Sequence, residues 1–325
     1  MLACLAVRQD PEYPLNGLEL REITKPEPRE DWALVRVVAA ALNHHDIWTL
    51  RGVGHPPERL PIVLGADAAG YDEDGNAVVI YPVIGDPSAG AGDETLDPDR
   101  ALLSEKHNGT LAEFVCVPRR NLAVKPPSLT FDEAACLPVA WLTAYRMLFT
   151  QAKIQPGCRV LVQGAGGGVA SAAIALARAA GVTVYATSRS ESKLEQAVET
   201  GAHVAVLAGE RLPHKVDAVI ETVGAATWEH SLRSLKPGGA LIVAGATTGP
   251  NPPSDLARIF YHQLRVLGST GGTSQEFARL LHFVETTGIR PRIDRVVPLS
   301  GVRAGLQAML DGQVSGKVVV HPNLQ

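Results

Sequence analysis

The run Val160-Leu-Val-Gln163 ends in Gly164-Ala-Gly-Gly-Gly168, and an Ala-rich stretch opens at Val169-Ala170. Glycines in such a turn have no Cβ, so backbone N–H groups can approach a diphosphate. A helix starting directly behind the turn adds free donors and a favourable dipole. Ala170, where a third glycine is common, is still small enough for that helix to pack on its strand. The next apolar run ends in Thr187-Ser188-Arg189-Ser190, with Lys193 one turn later. NAD-binding units place a carboxylate there, about 20 residues past the glycines, to accept from the ribose hydroxyls. This chain has no carboxylate at that point, and two cations with two hydroxyls can instead hold a 2′-phosphate. One charge-assisted hydrogen bond contributes roughly 1.5–3 kcal/mol, enough for about a tenfold preference. The local reading is a cradle for NADP(H) built from Gly164, Gly166, Gly167, Gly168, Val169, Ser188, Arg189 and Lys193.

The elements around this turn fit that reading. From Arg159 on, the apolar runs CRVLVQ, VTVYATS, AHVAVL, DAVIETVG, GALIVAGA and LRVLGST are spaced by helical segments. Continuous apolar strands separated by helices indicate a parallel sheet covered on both faces. Before Lys125-Pro126-Pro127 the pattern differs: short β-type runs at 33–42, 77–83 and 112–118 alternate with Pro and Gly breaks. The polar stretch from Val83 to His107 reads as a surface loop. Thr130-Phe-Asp-Glu133 is a capping box opening a helical run that Pro138 should kink or divide. After Ser269 the pattern predicts an amphipathic helix, the strand RVVPL, a short helix and the strand GKVVVHP, and this tail is expected to rejoin the N-terminal domain.

Composition narrows the class. The chain has 325 residues, 46% hydrophobic and 20% charged, which is a globular balance with room for two domains. A net charge of −4 with scattered Lys and Arg is no nucleic-acid footprint. Cys4, Cys116, Cys136 and Cys158 form no C-x-x-C pair and read as buried thiols in a reducing compartment. Without a signal-peptide h-region or a membrane-length apolar stretch, the expectation is a soluble, cytoplasmic protein with no membrane or nucleic-acid partner.

The segments ALNHHDIWTLRG, LPIVLGADAAG, NGTLAEFVCVP, LPVAWLTAY, VLVQGAGGGVA, ETVG and GKVVV occur in a familiar order. With them the chain resembles the medium-chain dehydrogenase/reductase superfamily, in its quinone-oxidoreductase-like branch, over nearly its whole length. The resemblance implies an α/β protein: a GroES-like, mainly β catalytic domain (1–125, completed by 270–325) and a central doubly wound parallel-sheet Rossmann NADP-binding domain (126–269). Where zinc-dependent members carry the catalytic ligands, this chain has Asn43, Ala66 and Val139, and its loop from Gly85 to His107 has no cysteine for a structural zinc. No metal is therefore expected. Adjacent His44 and His45 normally point apart, so with Asp46 they are not read as a metal set.

The same resemblance places Asn43 beside nicotinamide and substrate, as amide donor and acceptor, and Asp46 as an orienting residue. His44 is either a phosphate contact or proton donor, or a loop histidine bonded to backbone. Trp48 stands where several relatives carry a tyrosine; it can stack on a flat substrate but has no acidic proton to give. Thr143 is implied at the nicotinamide end and Lys317 as reaching the cofactor. Gly245 and Ser269 close parallel strands at the ends where doubly wound sheets bind ligands. Without a Lewis acid, hydride addition to a quinone or α,β-unsaturated carbonyl is easier than alcohol oxidation. The expectation is an NADPH-dependent reductase of a small molecule. An NADP-dependent alcohol or aldehyde dehydrogenase and a non-catalytic NADPH-binding protein stay open. A homodimer is implied as well, joined through Rossmann edge strands near GALIVAGA.

Overall fold

In the run from Trp32 to Val37 the residues Ala33, Val35 and Val37 are sealed while Arg36 is exposed, the period-2 pattern of a strand with one face in a core. The computed structural model describes residues 1–324 and divides the chain into two units. The first holds Met1–Val139, Thr273–Thr286 and the chain from Arg290 on; the second holds Ala140–Gly272 and Thr287–Ile289.

The first unit begins with β1 (Leu2–Ala6), β2 (Leu18–Glu22), β3 (Trp32–Ala41), α1 (His44–Arg51), β4 (Ile62–Val63), β5 (Asp67–Tyr71) and β6 (Ala77–Ile80). It continues through β7 (Val83–Ile84), β8 (Ala101–Leu102), β9 (Phe114–Pro118), β10 (Leu122–Val124) and α2 (Phe131–Ala135). The second unit contains α3 (Leu142–Tyr145), β11 (Arg159–Val162), α4 (Gly168–Ala179), β12 (Thr183–Ser188), α5 (Glu191–Thr200), β13 (Val204–Leu207), β14 (Val216–Glu221), α6 (Trp228–Ser234), β15 (Leu235–Val243), α7 (Leu256–Tyr261) and β16 (Arg265–Gly268). The tail adds α8 (Ser274–Thr287), β17 (Ile293–Pro298), α9 (Val302–Leu310) and β18 (Lys317–His321).

In the first unit β18 pairs antiparallel with β3, and β17 pairs parallel with β18, so the tail rejoins the N-terminal sheet as expected. The core beneath this sheet includes Val35, Val37, Leu42, Ile47, Leu64, Leu111, Val302, Leu306 and Val318. The second unit is a six-stranded, all-parallel sheet in the order β13-β12-β11-β14-β15-β16, the Rossmann winding. Order reverses between β11 and β14, so ligands of such a sheet bind at the C-terminal ends of those two strands.

Three expectations are corrected. The first unit reaches Val139 rather than ending at the prolines near 125, because α2 packs there. Thr130 and Glu133 close the capping box, the Phe131 ring lies 5.0 Å from that of Tyr71, and Asp132 pairs with His321 at 2.5 Å. The helical run after Thr130 is interrupted beside Pro138, as expected, but not into two regular helices. Its segments Leu137–Trp141 and Arg146–Gln151 are wide π turns flanking α3, and Pro138, which lacks an N–H, sits in the first. Residues 83–107 are not a simple surface loop. β7 and β8 pair, Asp97 accepts from the N–H groups of Asp86 (2.7 Å) and Asp99 (2.8 Å), and buried Glu94 accepts from Tyr81 Oη and Ser274 N. Its acidic residues satisfy the turn backbone, which lets Glu94, Thr95 and Asp97 be buried in it.

Candidate functional site

Register brings together residues far apart in sequence. Ala41 lies opposite Asp67 on one side of β3 and opposite Val319 on the other, so Asn43, Asp67 and Lys317 converge at the strand ends. The ammonium of Lys317, 3% exposed, donates to Leu42 O (2.8 Å), Asn43 Oδ1 (2.7 Å) and Asp67 Oδ2 (2.8 Å). Asn43 Nδ2 donates to Asp67 Oδ2 at 2.9 Å, and Asp67 Oδ1 accepts from Val139 N at 2.8 Å. Buried ion pairs are tolerated when such bonds satisfy every polar atom. Here all three ammonium protons are used.

This geometry revises several expected roles. The Asn43 amide is engaged at both ends, so it is not the free donor and acceptor expected beside a substrate. Lys317 is turned inward and saturated rather than reaching for a cofactor. Asp46 is sealed; its oxygens accept from Asn43 N (2.8 Å) and Gly65 N (2.9 Å), tying the first turn of α1 to the segment between β4 and β5. Burial raises the Asp46 pKa, and its role is positioning rather than contact with reactants. His44 is exposed at the start of α1, and surrounding protein, then Lys317 and Arg51, lower its pKa. Trp48 is half-buried, with the Arg51 guanidinium 5.4 Å from the centre of its ring.

A catalytic zinc does not fit these residues. Ala66 and Val139 have no donor side chain, and the Asn43 oxygen faces an ammonium rather than open space. Among the described residues no group of three His, Cys, Asp or Glu side chains is arranged to hold a metal ion.

The second unit carries the glycine turn between β11 and α4. Gly164 has φ +71° and Gly166 +117°, conformations that strain any L side chain. A Cβ on Gly164 would stand 2.6 Å from Val223 Cγ2; one on Gly166 would stand 2.8 Å from Lys193 Cδ. The stem of Lys193 therefore lies along the turn. A Cβ on Gly167 would meet nothing within 4 Å, and Gly167 precedes α4 with no side-chain cap. The open face and the uncapped first turn at Gly168 and Val169 fit a dinucleotide diphosphate. At the end of β12, Ser188 Oγ accepts from Ser190 N at 3.2 Å and so shapes the turn carrying exposed Arg189. Among the described residues Arg189 has no carboxylate partner. Thr187 is sealed and donates to Gln163, so the hydroxyls left for a ligand there are those of Ser188 and Ser190.

Thr143 is buried in the single turn of α3. Gly245 is explained by packing, since a Cβ there would stand 2.9 Å from Thr222 O. Ser269 ends β16 with its N–H on Val243 O (2.8 Å) and its Oγ buried without a partner, as a ligand contact would leave it. Reasoning from sequence did not assign Glu221, whose carboxylate accepts from Val223 N, Gly224 N, Thr227 Oγ1 and Ser231 Oγ. It builds the turn after β14, and an acidic residue ending an apolar strand before Thr-Val-Gly was its only trace in the sequence.

The family profile described as an alcohol dehydrogenase GroES-like domain matches residues 29–127, and the zinc-binding dehydrogenase profile matches 168–286. The 2-methylene-furan-3-one reductase of Solanum lycopersicum is 33% identical, across 92% of this chain and 74% of that protein. The chain belongs to the medium-chain dehydrogenase/reductase superfamily. As an oxidoreductase of that superfamily, it is also similar to the acryloyl-coenzyme A reductase of Sulfurisphaera tokodaii, at 30% identity over 95% of this chain and 98% of the relative. The crystal structure of an NAD-dependent alcohol dehydrogenase superposes with a TM-score of 0.91 at 35% identity, covering 99% of each chain. Family membership fits the two halves observed, a GroES-like β unit and a parallel Rossmann sheet.

Proposed function

We propose that this chain is an NADPH-dependent reductase of quinones or α,β-unsaturated carbonyls that works without zinc. The observation that carries the reading is the Lys317 ammonium, bonded to Asn43 and Asp67 where zinc-dependent members begin their ligand set. Without a Lewis acid, a reaction that delocalises the arriving charge over a conjugated system is favoured over one that needs a bare alkoxide. Two relatives support this, being named reductases of a methylene-furanone and of acryloyl-coenzyme A.

Bound NADPH would supply the hydride. Gly166, Gly167 and the first turn of α4 would hold its diphosphate, Arg189, Lys193 and the Ser188 hydroxyl its 2′-phosphate, and Ser269 and Thr143 its remaining half. Exposed Arg189 without a carboxylate partner supports the phosphate-bearing cofactor. Alcohol oxidation is the second reading, favoured by the similarity to an NAD-dependent alcohol dehydrogenase. Steady-state rates with NADPH and NADH against enones, quinones and primary alcohols separate the two. Enone or quinone turnover with NADPH is expected; alcohol oxidation with NAD as the dominant activity would overturn the proposal.

We also propose a homodimer, joined at the sheet edge beside GALIVAGA. The GALIVAGA strand, β15, is internal, covered by β16, which forms that edge of the sheet. Val266 on β16 and Leu256, Phe260 and Tyr261 on neighbouring α7 are exposed, an apolar edge suited to a second copy. No helix is long and apolar enough to cross a membrane among the described residues.

A further inference from the structure

β3 and β9 lie side by side, with Leu34 opposite Cys116 and Arg36 opposite Phe114. Val35, Val37, Val115 and Val117 turn into the core of the first unit, so the alternate residues Trp32, Phe114 and Cys116 belong to the other face. They line a cavity of about 440 Å³ that lies wholly within the first unit and has the size of a small-molecule site. Its apolar wall includes Ile23, Pro26, Pro61 and Ile62. Backbone bonds fix that wall: the Met1 ammonium donates to Ile23 O at 2.8 Å, and Asn108 Oδ1 accepts from Val63 N at 3.1 Å. The charge around the cavity is one-sided. Arg29, Arg59 and Lys106 line it, against Glu27 as the one carboxylate among the described lining residues. Arg29 and Arg59 are exposed and have no carboxylate partner among the described residues. Lys106 donates to the Asp99 carbonyl, with the Asp99 carboxylate 3.9 Å away. All three cations act on His107, whose half-buried ring stands edge-on to Trp32 at 5.1 Å; burial first, then Arg29, Lys106 and Arg59, lower its pKa. A cleft lined by one sign of charge concentrates ions of the other sign.

We propose that this cavity is a second small-molecule site, for an organic phosphate monoester whose phosphate meets Arg29, Arg59 and Lys106 and whose organic part covers the apolar wall. Three cations against one carboxylate suit a phosphate monoester, which carries close to two negative charges at neutral pH, better than a singly charged carboxylate. Guanidinium forks match phosphate oxygens with paired hydrogen bonds, and the Arg29 fork is held in place 4.0 Å over the centre of the Trp32 ring. An inorganic ion would leave the apolar wall wet, so the ligand needs a body as well as a charge. The site shares no residue with the glycine turn of the second unit or with the Asn43, Asp67 and Lys317 network. It adds a binding function to the GroES-like unit and does not rest on the reductase reading.

Calorimetry on the full chain tests it, with 1-naphthyl phosphate as the probe and inorganic phosphate, 1-naphthol and 1-naphthoate as the arms that separate charge from body. The aryl phosphate should bind at least about tenfold more tightly than any of the three, with the same affinity in saturating NADP. Arg29→Gln and Arg59→Gln alter exposed side chains and should each weaken it by about tenfold or more, the size of one charge-assisted bond, with the thermal midpoint unchanged. The His107 ring resonance, assigned with His107→Gln and followed by NMR against pH, gives a readout at the site itself. Bound phosphate offsets the surrounding cations, so the His107 pKa should rise when the probe is present. Aryl phosphate binding no tighter than inorganic phosphate would overturn the site. So would binding that NADP displaces, or that leaves both the His107 titration and the two arginine variants unmoved. Equal affinity for 1-naphthoate would overturn the choice of a phosphate.

Discussion

Lys317 and Asp67 lie 250 residues apart, and each is buried with the other as its opposite charge. Removing one partner leaves an unpaired buried ion, a loss on the order of 3–5 kcal/mol. Urea unfolding should show that loss in Lys317→Met, and Lys317→Met/Asp67→Asn should recover part of it; equal stabilities of wild type and single variant would contradict the network. A second residue-scale expectation concerns Arg189. Arg189→Ala should lower kcat/KM for NADPH by about tenfold or more while leaving the NADH value nearly unchanged, the size of one charge-assisted bond. Equal efficiency with both cofactors in the unaltered protein would refute it. The glycine turn was legible in the sequence because its meaning is local, fixed by its place between one strand and one helix. Lys317 was misread because its partners come from two other strands, and no local pattern announces a saturated ammonium.

At the scale of elements, the strand–turn–helix from β11 to α4 depends on backbone that only glycine adopts comfortably. Gly166→Ala would hold alanine at φ +117° with its Cβ against the Lys193 stem. NADPH affinity, read by fluorescence titration, should fall by at least about tenfold, with a smaller loss of thermal stability; unchanged affinity would show that the turn does not cradle the cofactor. The segment from α1 to Arg59 sets a pH dependence. His55 has a lowered pKa, chiefly from burial. Such a group is neutral in the folded chain while the unfolded chain still takes up its proton. Stability is therefore complete above the unfolded value of 6.5 and declines as pH falls through it toward the folded pKa. The urea midpoint should drop between pH 7.5 and 5.5, and His55→Gln should flatten that drop; a flat wild-type profile would contradict it. The Rossmann elements were readable because β–α alternation has strong periodicity. The π turns around Trp141 and the acidic turns of 83–107 were not, since both depend on tertiary burial rather than local preference.

At the scale of the molecule, the exposed apolar edge at β16 and α7 is the feature the chain leaves unsatisfied. Phe260→Glu should shift sedimentation from dimer to monomer while leaving the fold intact; a monomeric wild type would remove the dimer from the account. The larger claim is that a medium-chain dehydrogenase/reductase chain with an ammonium beside Asn43 reduces conjugated carbonyls with NADPH and needs no metal. It is tested most directly by kcat/KM for an enone with NADPH, before and after exhaustive chelation and with zinc restored. The same value is expected in all three states; an activity lost on chelation and recovered with zinc would contradict a metal-free reductase.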